Sequence, residues 1–163
     1  LKKMGAKISY SNKRILNNEQ ICDMEIQASE LIGCDLDESI AKLMIDEYPI
    51  LAIAASFATS PSVFRGLDEL RVKESDRLNL IASNLKRCGV DCKIIENDLY
   101  INPSSNYVIK DNNIITDFDH RIAMAFAVMG TKIGPLEIKE SNSVNTSFPT
   151  FVNELNKIGG LIS

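Results

Sequence analysis

Three short strings place charge where it can do chemistry: Asp46-Glu47, Lys73-Glu74-Ser75-Asp76-Arg77 and Asp119-His120-Arg121. Lysine and arginine can hold phosphate or carboxylate, arginine with a two-pronged fork, and a neighbouring carboxyl group can move a proton. Each string stands where a helix is expected to begin, and Ser147-Phe148-Pro149 stands at the expected start of a fourth. Helix starts expose unpaired N–H groups and a partial positive charge, so they attract anions. Lys73 and Arg77 are four apart and are expected to share a helix face with Glu74 near them, which puts two cations and a carboxylate at one rim. With Arg121 added, the set could hold a small, multiply charged anion.

A blander reading accounts for the same residues. Acidic side chains in a first turn cap helices, and Lys-Glu-x-Asp-Arg is a common solvated, self-paired surface run. Arg121 fits that reading less well, because it enters the apolar helix Ile122-Ala123-Met124-Ala125-Phe126-Ala127-Val128-Met129 and needs an anionic partner there. Asp119 is one candidate for that partner and a bound anion is the other. His120 reads more readily as a hydrogen-bonded structural histidine than as a base, since no nucleophile or metal motif surrounds it.

The elements that must position these strings repeat along the chain. Leu1-Lys2-Lys3-Met4-Gly5-Ala6, Leu85-Lys86-Arg87-Cys88-Gly89-Val90 and Leu155-Asn156-Lys157-Ile158-Gly159-Gly160 each read as a helix end closed by glycine. Pro49 to Ala58 and Ile122 to Thr131 are apolar on nearly every face and read as buried helices. Strand-like Val63-Phe64-Arg65 and Leu136-Glu137-Ile138-Lys139 follow them. An amphipathic helix comes next in each case, the first with Leu78, Ile81, Ala82 and Leu85 on one face. Paired strands are expected at Cys92 to Ile95 with Leu99 to Ile101, and at Lys7 to Tyr10 with Cys22 to Gln27. The repeat is buried helix, strand, outer helix, two strands, present about twice with the tail of another. No Pro/Gly/Ser-rich linker divides it, so one α/β domain is expected.

Composition narrows the function classes. The 163 residues are 45% hydrophobic and 25% charged, ordinary for a globular domain with a sizeable core. Eighteen Lys+Arg against 22 Asp+Glu give a net charge of -4, without the positive field of a nucleic-acid binder. No apolar run approaches the roughly 20 residues that span a bilayer, and Leu1-Lys2-Lys3-Met4-Gly5 lacks a signal-peptide core, so a cytoplasmic protein with no membrane partner is expected. Cys22, Cys34, Cys88 and Cys92 contain no Cys-x-x-Cys pair and His120 is the only histidine, so ordinary thiols are expected, with no metal. The chain does not begin with Met and opens in what reads as the last turns of a helix, so a longer protein is expected.

Asp46-Glu47-Tyr48-Pro49-Ile50-Leu51-Ala52, Glu69-Leu70-Arg71-Val72-Lys73-Glu74-Ser75-Asp76-Arg77-Leu78, Asp119-His120-Arg121-Ile122-Ala123-Met124 and the ending Ser147-Phe148-Pro149 resemble the EPSP synthases in identity, order and spacing. The resemblance runs over essentially the whole chain. It implies repeated βαβαββ units of the enolpyruvyltransferase, inside-out α/β barrel type. Residues 1–163 would form part of the C-terminal domain, with the N-terminal domain absent. The implied reaction transfers the enolpyruvyl group of phosphoenolpyruvate to the 5-hydroxyl of shikimate 3-phosphate and releases phosphate, on the way to chorismate and aromatic amino acids. The family uses no cofactor or metal, and the complete protein is expected to be a monomer with these two small-molecule substrates.

Carried over position by position, Asp46 resembles the carboxylate that contacts the shikimate ring and takes the proton of the attacking hydroxyl. Lys73 resembles a ligand of shikimate 3-phosphate, and Arg77 and Arg121 resemble ligands of phosphoenolpyruvate. Glu74 resembles the acid/base at the methylene carbon of phosphoenolpyruvate. A tension attends it: neighbouring Lys73 and Arg77 favour the charged carboxylate, whereas a general acid must carry a proton. Thr146-Ser147 stand where some members have a lysine before Phe-Pro, a departure shared with a branch often less sensitive to glyphosate. The family's N-terminal lysine, the arginine of the other domain and the serine/glutamine substrate motif have no counterpart, so residues 1–163 alone are expected to be inactive. Two alternatives stand beside this reading: a UDP-N-acetylglucosamine enolpyruvyltransferase, and a non-catalytic anion-binding module.

Overall fold

In the computed structural model, which describes residues 1–104 and 106–163, the chain opens with one 3₁₀ turn, Lys2–Met4. It then forms an antiparallel hairpin of β1 (Lys7–Leu16) and β2 (Glu19–Gln27). The hairpin turns at Asn17-Asn18, both at positive φ, the backbone pair that a two-residue loop requires and that asparagine tolerates. Both strands extend well past the segments expected from sequence. Only Ile8 and Ile21 are even partly covered, so no apolar alternation marks their true length.

One complete β-α-β-α-β-β unit follows. It comprises β3 (Asp35–Leu36), α1 (Glu38–Met44), α2 (Tyr48–Ser56), β4 (Ser62–Phe64), α3 (Arg77–Arg87), β5 (Asp91–Ile95) and β6 (Asp98–Asn102). The helices between β3 and β4 cross over and make that pair parallel, whereas β4–β6 and β6–β5 are antiparallel, giving the order β3-β4-β6-β5. A second unit begins with β7 (Asn113–Ile114), α4 (His120–Ile133) and β8 (Glu137–Ile138), again a parallel crossover, and continues into α5 (Val144–Ser147) and α6 (Phe151–Lys157). The expected repeat is present with one addition: a two-residue strand, too short to show a period, leads into each buried helix.

Helices α2 and α4, the two apolar stretches, pack against each other at the centre. Tyr48, Leu51, Ala52 and Ile53 of α2 share one core with Ile122, Phe126 and Met129 of α4. Burying a side chain of this size contributes about 1.5–3 kcal/mol relative to leaving it exposed. Helix α3 lays Leu78, Ile81, Ala82 and Leu85 onto the same core, as its period requires. It also buries Asn84, whose amide clasps the backbone of Ile115 with bonds of 2.7 and 3.1 Å. Beyond its end Gly89 takes φ 83°, and a Cβ there would stand 2.3 Å from the carbonyl oxygen of Val108. All four cysteines are free thiols, and burial pushes those of Cys88 and Cys92 up to about 12 and about 11.

Two expected boundaries move. Ser147 closes α5 and α6 starts only at Phe151, so Ser147-Phe148-Pro149 joins two helices; Pro149 cannot donate to a preceding turn. Helix α3 starts at Arg77, not at Lys73, because the Asp76 carboxylate accepts the Asn79 N–H at 3.1 Å and fixes the helix start there.

Candidate active site

Three helix starts converge. Asp46 lies in the 3₁₀ turn Ile45–Glu47 that feeds α2. Arg77 is the first residue of α3, and Asp119 caps α4 by accepting the N–H groups of Arg121 and Ile122 at 2.9 and 3.4 Å. Lys73 and Glu74 sit in the bent segment before α3. They therefore do not share a helix face with Arg77, and Glu74 reaches it by the chain folding back.

Arg77 is the centre of the cluster. Its side chain is fully buried, and its guanidinium donates Nε to Asp119 Oδ2 at 2.6 Å, Nη1 to Asp46 Oδ1 at 2.7 Å and Nη2 to Glu74 Oε2 at 2.5 Å. Burial opposes its charge, but the bond and charge of Asp119, with Glu74 and Asp46, outweigh burial and hold the guanidinium above its ordinary proton affinity. Asp119 is equally inaccessible. Burial pushes its carboxyl up, yet Arg77, Ser75 Oγ at 2.9 Å and the Arg121 N–H together hold it below the usual carboxylate range.

Among the described residues the guanidinium of Arg121 does not pair with the Asp119 carboxylate, one of the partners considered for it: Arg77 holds Oδ2, and Oδ1 accepts the backbone N–H of Arg121. Arg121 Nη1 instead donates to the carbonyl oxygen of Asp46 at 2.9 Å and to Glu47 Oε1 at 3.4 Å, and Nη2 lies 3.8 Å from Asp46 Oδ2. Lys73 Nζ stands 3.9 Å from Asp46 Oδ1. Asp46 thus touches all three cations, and Asp46, Lys73, Glu74, Arg77 and Arg121 form one contiguous set. His120 contributes no side-chain hydrogen bond or ion pair to it among the described residues.

The burial order reverses the expectation from sequence: Arg77 is enclosed, whereas the Arg121 side chain is 33% exposed. Asp46 and Glu74 are more open still, at 44% and 56%. The set therefore lies along an open rim. Sequence reasoning passed over Ser75 and gave Asp119 too small a role. An acidic cap preceding an apolar helix was the available signal for Asp119, and nothing local marked Ser75. Ser147-Phe148-Pro149 makes no hydrogen bond or ion pair with the cluster among the described residues; Phe148 packs edge-on against Phe151. A groove of about 890 Å³ between α4 and the C-terminal helices includes none of the five residues.

A family model described as EPSP synthase (3-phosphoshikimate 1-carboxyvinyltransferase) matches residues 1–155. The 3-phosphoshikimate 1-carboxyvinyltransferase of Paramagnetospirillum magneticum is 43% identical over 164 residues, covering 100% of this chain and 37% of that protein. The protein of the same name from a Pseudomonas species is also 43% identical, over 99% of this chain and 36% of its own length. Among solved structures, EPSP synthase from Acinetobacter baumannii superposes with a TM-score of 0.89 at 40% identity, over 98% of this chain and 38% of that one. The enolpyruvyl transferase NikO from Streptomyces tendae, at 14% identity and a TM-score of 0.60, shares the fold. The chain spans little more than a third of the length of these curated relatives. With the family model matching nearly end to end and the charged strings gathered at one rim, the chain belongs to the EPSP synthase family.

Proposed function

We propose that the protein carrying this chain transfers the enolpyruvyl group of phosphoenolpyruvate to the 5-hydroxyl of shikimate 3-phosphate in the cytoplasm, and that residues 1–163 supply part of its C-terminal domain and one face of its active site. The observation that carries this reading is the convergence of Asp46, Lys73, Glu74, Arg77 and Arg121 from three separate helix starts. A module that only bound anions would gain nothing from carboxylates among its cations, since they repel the ligand.

The roles follow from the chemistry. The acceptor hydroxyl attacks C2 of phosphoenolpyruvate and gives its proton to Asp46, while Glu74 gives a proton to the methylene carbon. Protonation there creates cationic character at C2 that a neighbouring carboxylate stabilises. Since the product retains a carbon–carbon double bond, the added proton must leave again as the C2–O bond to phosphate breaks. Glu74, now a carboxylate, takes it back, and the departing phosphate carries off the proton that Asp46 accepted from the hydroxyl. Lys73 holds the acceptor's phosphate, and Arg121 and Arg77 hold the donor's anionic groups. The test is phosphate release by the full-length gene product, with phosphoenolpyruvate and either shikimate 3-phosphate or UDP-N-acetylglucosamine. Turnover is expected only with the shikimate; turnover only with the nucleotide sugar, or with neither, would overturn the reading.

A further inference from the structure

The guanidinium of Arg77 is already committed. Three carboxylates surround it, Asp119 at 2.6 Å, Asp46 at 2.7 Å and Glu74 at 2.5 Å, and its side chain has no exposed surface. A donor carrying phosphate and carboxylate groups cannot reach Arg77 until one of the three leaves. The partners are not equally held. Asp119 is buried and accepts from Ser75 Oγ and from two backbone N–H groups besides Arg77. Asp46 keeps Lys73 and Arg121 Nη2 within 4 Å of its carboxylate even without Arg77.

Glu74 has no other hydrogen-bond or ion-pair partner among the described residues. It is also the most exposed of the three, and it lies in the bent segment before α3 rather than in a helix. A half-exposed carboxylate held by one partner yields more readily than a desolvated carboxylate with four donors. Glu74 is therefore the group that yields.

Resting on the proposed function, we infer that the donor anion loads the general acid: by taking Arg77 from Glu74, phosphoenolpyruvate strips that carboxylate of its cation, sets an anion beside it, and so makes it take up a proton from solvent. The proton that the reaction needs at the methylene carbon is then acquired on binding. In the free enzyme Glu74 is paired with Arg77; in the donor-bound enzyme it holds the acquired proton and is free to swing toward the substrate. The charged groups around this exchange are Lys73, next to Glu74 in sequence and 3.9 Å from Asp46; Asp46 and Asp119, both on Arg77; and Arg121, paired with Glu47, on Asp46 and its backbone. Of these carboxylates only Glu74 loses its sole cationic partner.

The experiment is calorimetric titration of the full-length gene product with phosphoenolpyruvate, near neutral pH, in buffers of different ionisation enthalpy. The expected result is net uptake approaching one proton per donor bound. Glu74→Gln should abolish the uptake and bind the donor about two- to fivefold more tightly, because the solvent-exposed Glu74 carboxylate no longer competes for Arg77. Glu47→Gln removes a nearby charge that does not touch Arg77 and should leave the uptake in place. Binding without uptake, or undiminished uptake in Glu74→Gln, overturns the inference. Turnover by the wild type accompanied by no uptake would overturn it while leaving the proposed function standing. Failure of phosphoenolpyruvate to bind would overturn both.

Discussion

Asp119 Oδ2 lies 2.6 Å from Arg77 Nε, and neither side chain has any exposed surface. This pair ties the start of α3 to the start of α4, because Asp119 also caps α4 through the N–H groups of Arg121 and Ile122. Breaking a buried pair from one side costs about 3–5 kcal/mol when the other charge is left with no partner, and Asp46 and Glu74, both still on Arg77, offset part of that cost. Asp119→Ala should therefore lower unfolding free energy in denaturant melts by up to that amount. A loss below about 1 kcal/mol, the scale of an exposed pair, would mean that water reaches Arg77.

The same carboxylate sets an acid limit. Its proton affinity is depressed in the fold, so its contribution is fully present above the ordinary aspartate value of about 3.9 and is lost as pH falls from there through the depressed one. Stability of the wild type and of Asp119→Asn should differ above about pH 4 and converge below it. A gap unchanged down to strongly acidic pH would show that the pair carries no proton linkage.

Tyr48 is a different case. Its ring stacks edge-on against Phe64 with centroids 5.5 Å apart, fully buried, and its hydroxyl has no hydrogen-bond partner among the described residues. An unsatisfied buried hydroxyl costs roughly 1–3 kcal/mol. Tyr48→Phe should be neutral or should raise the melting temperature. A clear decrease would reveal a bound water or a partner supplied by the rest of the protein.

The sequence and the structure agree most where a period or a glycine carries the signal. The apolar faces of α2 and α4, the stripe on α3 and the glycine stops after Met4, Arg87 and Lys157 all lie close to where they were read. The agreement fails where neighbours in space decide. Residues 73–77 have helical spacing and helix-friendly composition, yet the Asp76 cap starts the helix at Arg77. Which arginine is buried could not be read either: Arg121 precedes the more apolar run, but Arg77 is enclosed, because Asp119 arrives from 42 residues away to pair with it. Family resemblance identified Asp46, Lys73, Glu74, Arg77 and Arg121 as a set. Their mutual pairing is a three-dimensional fact with no trace in one dimension.

Kinetics of full-length variants should separate the proposed roles. Glu74→Gln removes a proton-transfer group and should lower kcat by about 10² to 10⁴ with little rise in KM. Arg121→Ala should chiefly weaken phosphoenolpyruvate, and Lys73→Ala should chiefly weaken shikimate 3-phosphate. Equal effects of either on both substrates would refute the division of roles. Arg77→Ala is a poor probe of binding, since it leaves three carboxylates facing one another and disturbs folding first.

The last prediction concerns residues 1–163 as a separate polypeptide, which should release no phosphate from phosphoenolpyruvate and shikimate 3-phosphate and should bind either only weakly. The site is an open rim: the Asp46 and Glu74 side chains are about half exposed, and Lys73 and Arg121 are partly so. At contact distance in water, attraction between unit charges falls to about 1 kcal/mol, and salt screens it further. Moreover, every cation at the rim is already paired with a carboxylate of the same chain. On the proposed function, tight binding and turnover would need further groups facing this rim that exclude water and add positive charge. The measurement is phosphate release by the purified polypeptide, alone and after addition of the remaining part of the protein. Robust turnover by residues 1–163 alone would refute the open-rim reading, and turnover that appears only on complementation would support it.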